Sequence, residues 1–159
     1  MDRFDHKSVE KIVTELPTLA KKYDTPTFQF ADASINASSS RFSAFCDSLA
    51  EKFPEIRWYA YAKIHGFTPE LLRKAKRAGC FSLFWGMESA HQPTVELLGK
   101  RFRVENTHAL IDCAADLGIK NYIHLMYNTP HETEADVEAL IKLIERYIKS
   151  DMVVFLTQR

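Results

Sequence analysis

The chain has 159 residues, of which 46% are hydrophobic and 26% are charged, with 21 basic and 21 acidic side chains. A chain of this length fits one domain that buries roughly two-thirds of its unfolded surface. The zero formal net charge argues against the broad basic face that nonspecific nucleic-acid binding requires. One local basic run, 73–79, lies on a predicted helix, where a solvated surface is the favoured interpretation.

The sequence also bounds the compartment and the use of cysteine. No apolar run approaches the ~18–20 residues of a membrane span, and the charged start of the chain is unlike a secretory signal. The three cysteines, Cys46, Cys80 and Cys113, are widely separated, which fits neither a disulfide framework nor a CxxC metal site. We expect a cytoplasmic protein whose cysteines are buried small side chains and not metal ligands.

Helical and strand-like segments alternate from the start of the chain. The first helix is predicted from Ser8 to Tyr23, where apolar residues recur at helical spacing, and Pro17 should kink or split it. A strand, a helix and a strand follow, in "TFQFADASIN" (27–36), "SRFSAFCDSLAEKF" (40–53) and "IRWYAYAKI" (56–64). The next helix has Thr68 as its N-cap with Pro69 behind it, and Gly79 as its C-terminal stop.

The alternation continues through the second half. It comprises a strand at 80–87, a short and a longer helix within 92–118, a strand at 121–127, a helix from Thr133 to about Ser150, and a last strand at 152–158. Thr133 and Asp136 have capping-box spacing. Strict alternation with long crossovers predicts an α/β fold with a parallel sheet. Because the chain begins with a helix and ends on a strand, we interpret residues 1–159 as the greater part of a barrel-like domain without its first strand. An open doubly wound sheet is the alternative.

Polar residues follow the predicted strands. In parallel α/β folds, sites form where the carboxyl ends of strands share one edge. The residues at these ends are Asp32, Ser34 and Asn36; Tyr59, Tyr61 and Lys63; Glu88 and Ser89, with Lys100 behind the next helix; and His124, Tyr127 and Asn128. An unpaired buried acid is costly, so Glu88 should meet either a lysine, Lys63 or Lys100, or a ligand. Taken singly, His124 is more typical of a core histidine, and a turn cap is equally open for Asp32.

The order of these motifs resembles one enzyme family. The segments "FQFADASIN", "YAYAKIHGFTPELLRKAKRAGC", "GMESAHQPTVELLGKR" and "LGIKNYIHLMYNTPHETEADV" are collinear with the radical S-adenosylmethionine (SAM) enzymes over nearly the whole chain. The nearest branch is that of many cobalamin-binding members, the methylthiotransferases and the oxygen-independent coproporphyrinogen oxidases. The resemblance implies a partial (β/α)6 barrel with a [4Fe–4S] cluster on a CxxxCxxC loop after the first strand. This sequence contains no CxxxCxxC, so we expect the loop to lie upstream of Met1.

The resemblance implies cofactor-binding roles for particular residues, namely Asp32, Lys63, Glu88, Ser89, Lys100 and His124. Asp32 falls near the stretch beside the SAM amino group, although the glycines of that stretch are absent here. Glu88 and Ser89 match the pair that contacts the ribose hydroxyls, which suits a carboxylate because it accepts two hydroxyl protons. Lys100 matches a basic position that pairs with the SAM carboxylate, and Lys63 and His124 match polar lumen positions.

The expected function is therefore that of part of a radical SAM enzyme core. Its intact parent would use SAM and a [4Fe–4S] cluster, and cobalamin is a further cofactor that the resemblance allows. We expect this chain to supply the SAM pocket walls and the substrate lumen of a parent that acts on a small-molecule or unknown substrate, and to be inactive alone. The alternatives are a cluster-less barrel that serves as a binding or assembly module, and a metal enzyme that uses Asp32, Glu88 and His124. We also expect self-association through the sheet edge near 28–32.

Overall fold

The computed structural model describes residues 7–158, in which six helices alternate with five strands. The elements are α1 (Val9–Tyr23), β1 (Thr27–Phe30), α2 (Ser39–Lys52), β2 (Arg57–Ala62), α3 (Pro69–Arg77), β3 (Cys80–Glu88), α4 (Gln92–Leu97), α5 (Val104–Asp116), β4 (Lys120–Met126), α6 (Glu134–Tyr147) and β5 (Val153–Gln158). Their types and order agree with the sequence prediction. Two details differ: β1 ends at Phe30, well before the predicted end at Asn36, and α1 runs through Pro17 without splitting.

All five strands are parallel, and their order in the sheet is the order in the chain, β1-β2-β3-β4-β5. A doubly wound sheet reverses its strand order at a switch point, and the described strands contain no such reversal. Successive crossovers with one handedness place the helices on a single face and leave the other face for a lumen. The predicted barrel-like α/β fold is confirmed, and the doubly wound alternative is wrong.

The helix-covered face of the sheet forms the core. Trp58, Trp85 and Ile123 are fully buried there. The Nε1 of Trp58 donates to the carbonyl of Ala78 at 2.7 Å, and the Nε1 of Trp85 donates to Oδ1 of the buried Asn121 at 2.8 Å. Each indole therefore buries its large apolar surface and still satisfies its polar atom.

The opposite face of the sheet, here called the lumen face, consists of the aromatic side chains that alternate with the core residues of β2, β3 and β4: Tyr59, Tyr61, Phe84, Tyr122 and His124. The Phe84 and Tyr122 rings stack with centroids 4.6 Å apart. The ring of Tyr61 lies 5.2 Å from Phe84 and 5.8 Å from His124. This aromatic layer covers the face of the sheet opposite the helices.

Two expectations concern the surroundings of the domain. The predicted self-association near 28–32 involves β1, which is one edge of the described sheet, and it stays a prediction. Among residues 7–158, no helix has both the length and the apolar character needed to span a membrane.

Candidate functional site

Glu88 ends β3 in the left-handed region, with φ of +67°. This conformation is uncommon for residues other than glycine and often marks a turn or a site. The carboxylate lies over Gly86, where an added Cβ would be 3.1 Å from Oε1 of Glu88 and 3.7 Å from Nζ of Lys100. The missing side chain at Gly86 therefore makes the space in which these two charged groups meet.

Lys100 reaches this space from the turn after α4. Gly99 adopts a φ of +67°, and the Lys100 N–H donates to the Val95 carbonyl at 3.0 Å, which closes the helix end. The Lys100 Nζ lies 3.1 Å from Oε1 of Glu88 and 3.4 Å from the Gly86 carbonyl. Of the two lysines that the sequence offered, Lys100 is thus the partner of Glu88. The lysine and glutamate side chains remain 33% and 22% exposed, so a ligand can reach both.

Lys63 lines one cavity together with Lys100 and Gly86, with a volume of about 320 Å³. The loop that carries Lys63 is held by the side chain of Asn36. Its Oδ1 accepts from the Lys63 N–H at 2.9 Å, and its Nδ2 donates to the carbonyls of Lys63 and His65 at 2.9 and 3.2 Å. Asn36 therefore holds the Lys63–His65 loop in place, although it lies 27 residues before Lys63 in the sequence.

Ser89 lies at the same edge, but its hydroxyl belongs to a turn, since Oγ accepts from the His91 N–H at 3.0 Å. The next contacts join α4 to α6. His91 Nδ1 lies 3.2 Å from Oδ1 of Asp136, and Thr94 Oγ1 donates to the same oxygen. The backbone N–H and hydroxyl of Thr133 donate to Oδ2 of Asp136 at 2.9 and 2.7 Å. This cluster fixes α4, and with it the approach of the lysine that follows α4.

Asp136 is the electrostatic centre of that cluster and is 9% exposed. Burial raises its pKa, but the hydrogen bonds from Thr133 and Thr94 outweigh burial and lower the pKa to about 2. The carboxylate is therefore ionised at neutral pH. Its capping-box role was predicted from spacing, whereas the contacts with His91 and Thr94 were missed, because residues so far apart in the sequence give no local signal.

His124 and Asp32 lie in different places. His124 is paired in register with Gly86 on the lumen face, beside the Glu88 site, and its buried Nε2 has no hydrogen-bond partner within residues 7–158. Asp32 instead lines a separate cavity with Phe30 and Arg41, beside α1 and α2. The structure thus gathers five of the six predicted residues at one edge and leaves Asp32 apart. Among the described residues, no three histidine, cysteine or acidic side chains form a metal-ligand group, so the metal-enzyme alternative has no geometric support.

Cys46 and Cys80 do not fit the ligands of a [4Fe–4S] cluster. Cys46 and Cys80 are fully buried in the core. Burial raises the pKa of the Cys46 thiol to about 12 and also raises that of Cys80. Because cluster ligands are thiolates, these side chains are suited to packing, and within the described residues they offer no ligand set.

No family model matches the sequence. It is similar to an uncharacterized methyltransferase of Pyrococcus horikoshii, with 24% identity over 144 residues, which is 91% of this chain and 31% of that protein. It is also similar to the anaerobic magnesium-protoporphyrin IX monomethyl ester cyclase of Rubrivivax gelatinosus, with 24% identity over 136 residues, 84% of this chain and 24% of that one. The chain thus spans less than a third of the length of either relative, 31% of the first and 24% of the second.

Solved structures show the same fold. The radical SAM methyltransferase TsrM of Kitasatospora setae, solved with tryptophan and a SAM analogue, matches 94% of this chain and 30% of its own with a TM-score of 0.82 and 17% identity. The cobalamin-dependent SAM radical enzyme OxsB matches 95% of this chain and 24% of its own, with a TM-score of 0.72 and 18% identity. The radical SAM coproporphyrinogen III oxidase of Escherichia coli matches 96% of this chain and 37% of its own, with a TM-score of 0.70 and 16% identity. The chain has the fold of these enzymes, so the fold implied by its motif order is confirmed.

Proposed function

We propose that this chain forms the SAM-binding walls and the substrate lumen of a radical SAM enzyme core, whose reaction is reductive cleavage of SAM followed by radical hydrogen abstraction. The observation that carries the proposal is the accessible Glu88–Lys100 pair, which lies over Gly86 at the carboxyl edge of a sheet with this fold. The short span relative to longer relatives supports a part of a larger enzyme.

The charged pair fits the two polar ends of SAM. The Glu88 carboxylate is able to accept from both ribose hydroxyls, and the Lys100 ammonium is able to pair with the methionine carboxylate. In the ligand-free arrangement they neutralise each other at 3.1 Å. A partly exposed pair of this kind is worth about 1 kcal/mol or less, so the stronger ligand contacts outweigh its separation. When bound, the cluster supplies the electron for SAM cleavage, and the residues of this chain orient the ligand.

The cofactor set of the parent enzyme is part of the same proposal. It comprises SAM and a [4Fe–4S] cluster whose thiolate ligands are not the three cysteines of this sequence. Cobalamin is a further candidate, because a TsrM structure contains both cobalamin and a [4Fe–4S] cluster. Asp32, Ser89, Lys63 and His124 are proposed as additional cofactor contacts, with Asp32 the least supported because of its separate cavity.

A cluster-less barrel that binds without turnover is the second candidate function, because the sequence contains no CxxxCxxC motif. Both functions involve ligand binding at the same edge, so binding does not distinguish them. Formation of 5′-deoxyadenosine from SAM by the natural protein under reducing conditions is expected for the enzyme and not for the binding module.

SAM affinity tests the role of the charged pair. Isothermal titration calorimetry would compare the 159-residue chain with Glu88→Gln and Lys100→Met. Each change removes a charge-assisted hydrogen bond and should weaken binding about tenfold or more. The matched controls are Glu138→Gln and Lys142→Met, which alter an exposed pair on α6 at 3.9 Å and should leave the affinity unchanged. Equal affinities in all five proteins, or no SAM binding by a folded chain, would contradict the proposal.

A further inference from the structure

A second cavity adjoins the one that holds Lys63 and Lys100. It has a volume of about 600 Å³ and lies between the loop before α3, the turn after α4 and the first half of α5. The residues that line both cavities are Ile64, His65, Lys100, Arg101 and Phe102. The two cavities therefore adjoin, and together they are here called the α3–α5 cleft.

Positive charge is concentrated in this cleft, although the whole chain has no net charge. The basic residues that line it are Lys63, His65, Lys100, Arg101 and Arg103. Arg103 is paired with Glu96 at 3.3 Å, and Lys100 with Glu88 at 3.1 Å. Within residues 7–158, the side chains of the other three form no ion pair or hydrogen bond. The cleft thus offers Lys63 and Arg101 as cationic donors without acidic partners, while Glu96, the acid in its lining, is paired with Arg103.

The floor of the cleft is apolar and held in place. Ile64 and Phe67 are 7% and 8% exposed. The carbonyl of Phe102 accepts from Nε2 of Gln92 at 3.4 Å, while Oε1 of the same glutamine accepts from the Val104 N–H at 2.9 Å. Gln92 therefore fixes the segment on which the arginine lies. An apolar floor with a few basic groups at its rim, in a volume typical of small-molecule sites, suits an anion carried on an apolar body.

We propose that the α3–α5 cleft binds the carboxylate or phosphate group of a small organic anion. Arg101 is the main contact, because its planar guanidinium donates to two oxygens at once. Lys63 and His65 flank the anion, and its apolar body lies against Phe102. This anion site goes beyond the proposed function. That the anion is part of the enzyme's substrate is a further step, which rests on the proposed function.

The test is a titration monitored by ¹H–¹⁵N NMR spectra of the full chain at low ionic strength. The probes are benzoate, phenyl phosphate and the uncharged benzamide. Both anions should shift the amide signals of 64–67 and 101–104, and benzamide should not. Arg101→Gln should weaken anion binding about tenfold. The matched control is Arg73→Gln, an exposed arginine of α3 that does not line the cleft, and it should have no effect.

Equal anion affinity in Arg101→Gln and the unaltered chain, or equal binding of benzamide and benzoate, would overturn the proposal. The SAM titration separates this result from the fate of the proposed function. If anion binding depends on Arg101 and the chain has no SAM affinity, the cleft proposal is supported and the proposed SAM site is contradicted. If SAM binding depends on Glu88 but anion binding does not depend on Arg101, only the cleft proposal is contradicted.

Discussion

The substitution Asn36→Asp perturbs the loop that carries two of the basic residues of the site. Asn36 is 5% exposed, and its Oδ1 accepts from the Lys63 N–H at 2.9 Å and from the Ser34 hydroxyl at 2.8 Å. Its Nδ2 donates to the carbonyls of Lys63 and His65 at 2.9 and 3.2 Å. Aspartate has almost the same shape and keeps the acceptor oxygen, but it puts a second oxygen where the amide donated. The change therefore isolates the two donated hydrogen bonds.

The magnitude follows from these contacts. Two neutral hydrogen bonds contribute about 1 kcal/mol each, and carbonyls left unpaired in a partly buried site add about 1 kcal/mol more. We expect the free energy of unfolding to fall by about 3 kcal/mol at pH 7. The two carbonyl oxygens disfavour the ionised form, so the pKa of the introduced carboxyl rises above its unfolded value of about 3.9. A raised folded-state pKa means that the deficit is smallest below that unfolded value and grows as pH rises through the folded one.

Urea unfolding of both proteins near pH 4 and pH 7 measures this pH dependence. Asn106→Asp, at an exposed position of α5, makes the same chemical change without buried partners and should alter stability by less than about 0.5 kcal/mol. The variant at position 36 should also bind SAM more weakly, because Lys63 loses its support. A loss of stability below about 1 kcal/mol, or one of equal size at both pH values, would refute the assignment of these hydrogen bonds.

Three further changes test the frame around the site. Gly79→Ala would place a Cβ 1.9 Å from the Ile56 carbonyl at a φ of +89°, so we expect circular dichroism to show no cooperative unfolding. Trp85→Phe leaves Oδ1 of Asn121 without its donor in the core and should lower the free energy of unfolding by about 2–4 kcal/mol in urea; a smaller loss would count against that bond. Asp136 has a pKa lowered from 3.8 to about 2, so its contribution of about 2 kcal/mol is present above pH 4 and is lost as pH falls toward 2. The melting temperature of Asp136→Asn should therefore fall less over that range, and parallel curves would show that the carboxylate is not the cause.

The element order could be predicted because its signals are local. Thr68 and Pro69 begin α3, and Gly79 follows its end, as their capping preferences indicate. The alternation of apolar residues located all five strands. The first strand was predicted too long, because the stretch up to Asn36 has strand-like composition. The Asn36 side chain instead bonds to a loop 27 residues further along the chain, and such a distant contact leaves no periodic pattern.

The site was predicted as a set of strand-end residues and not as an arrangement. Lys63 and Lys100 were both open as partners for Glu88, since both were expected at the same edge of the sheet. Backbone geometry decides between them: Gly99 turns Lys100 back toward β3, and Gly86 leaves the space in which it meets the acid. A sequence shows where glycine occurs, but it does not show which distant side chain the resulting space receives.

The polar side chains that hold the loops of the site were also difficult to identify from the sequence. Three buried or half-buried polar side chains, Asn36, Gln92 and Asp136, each hold one segment that carries or precedes a proposed ligand contact. Only Asp136 had a local signal, its capping-box spacing. A polar residue that is buried without a local partner must satisfy its hydrogen bonds with a remote segment. Its burial in the structure therefore identifies the loops whose positions matter, and here those loops converge on Glu88, Lys100 and Arg101.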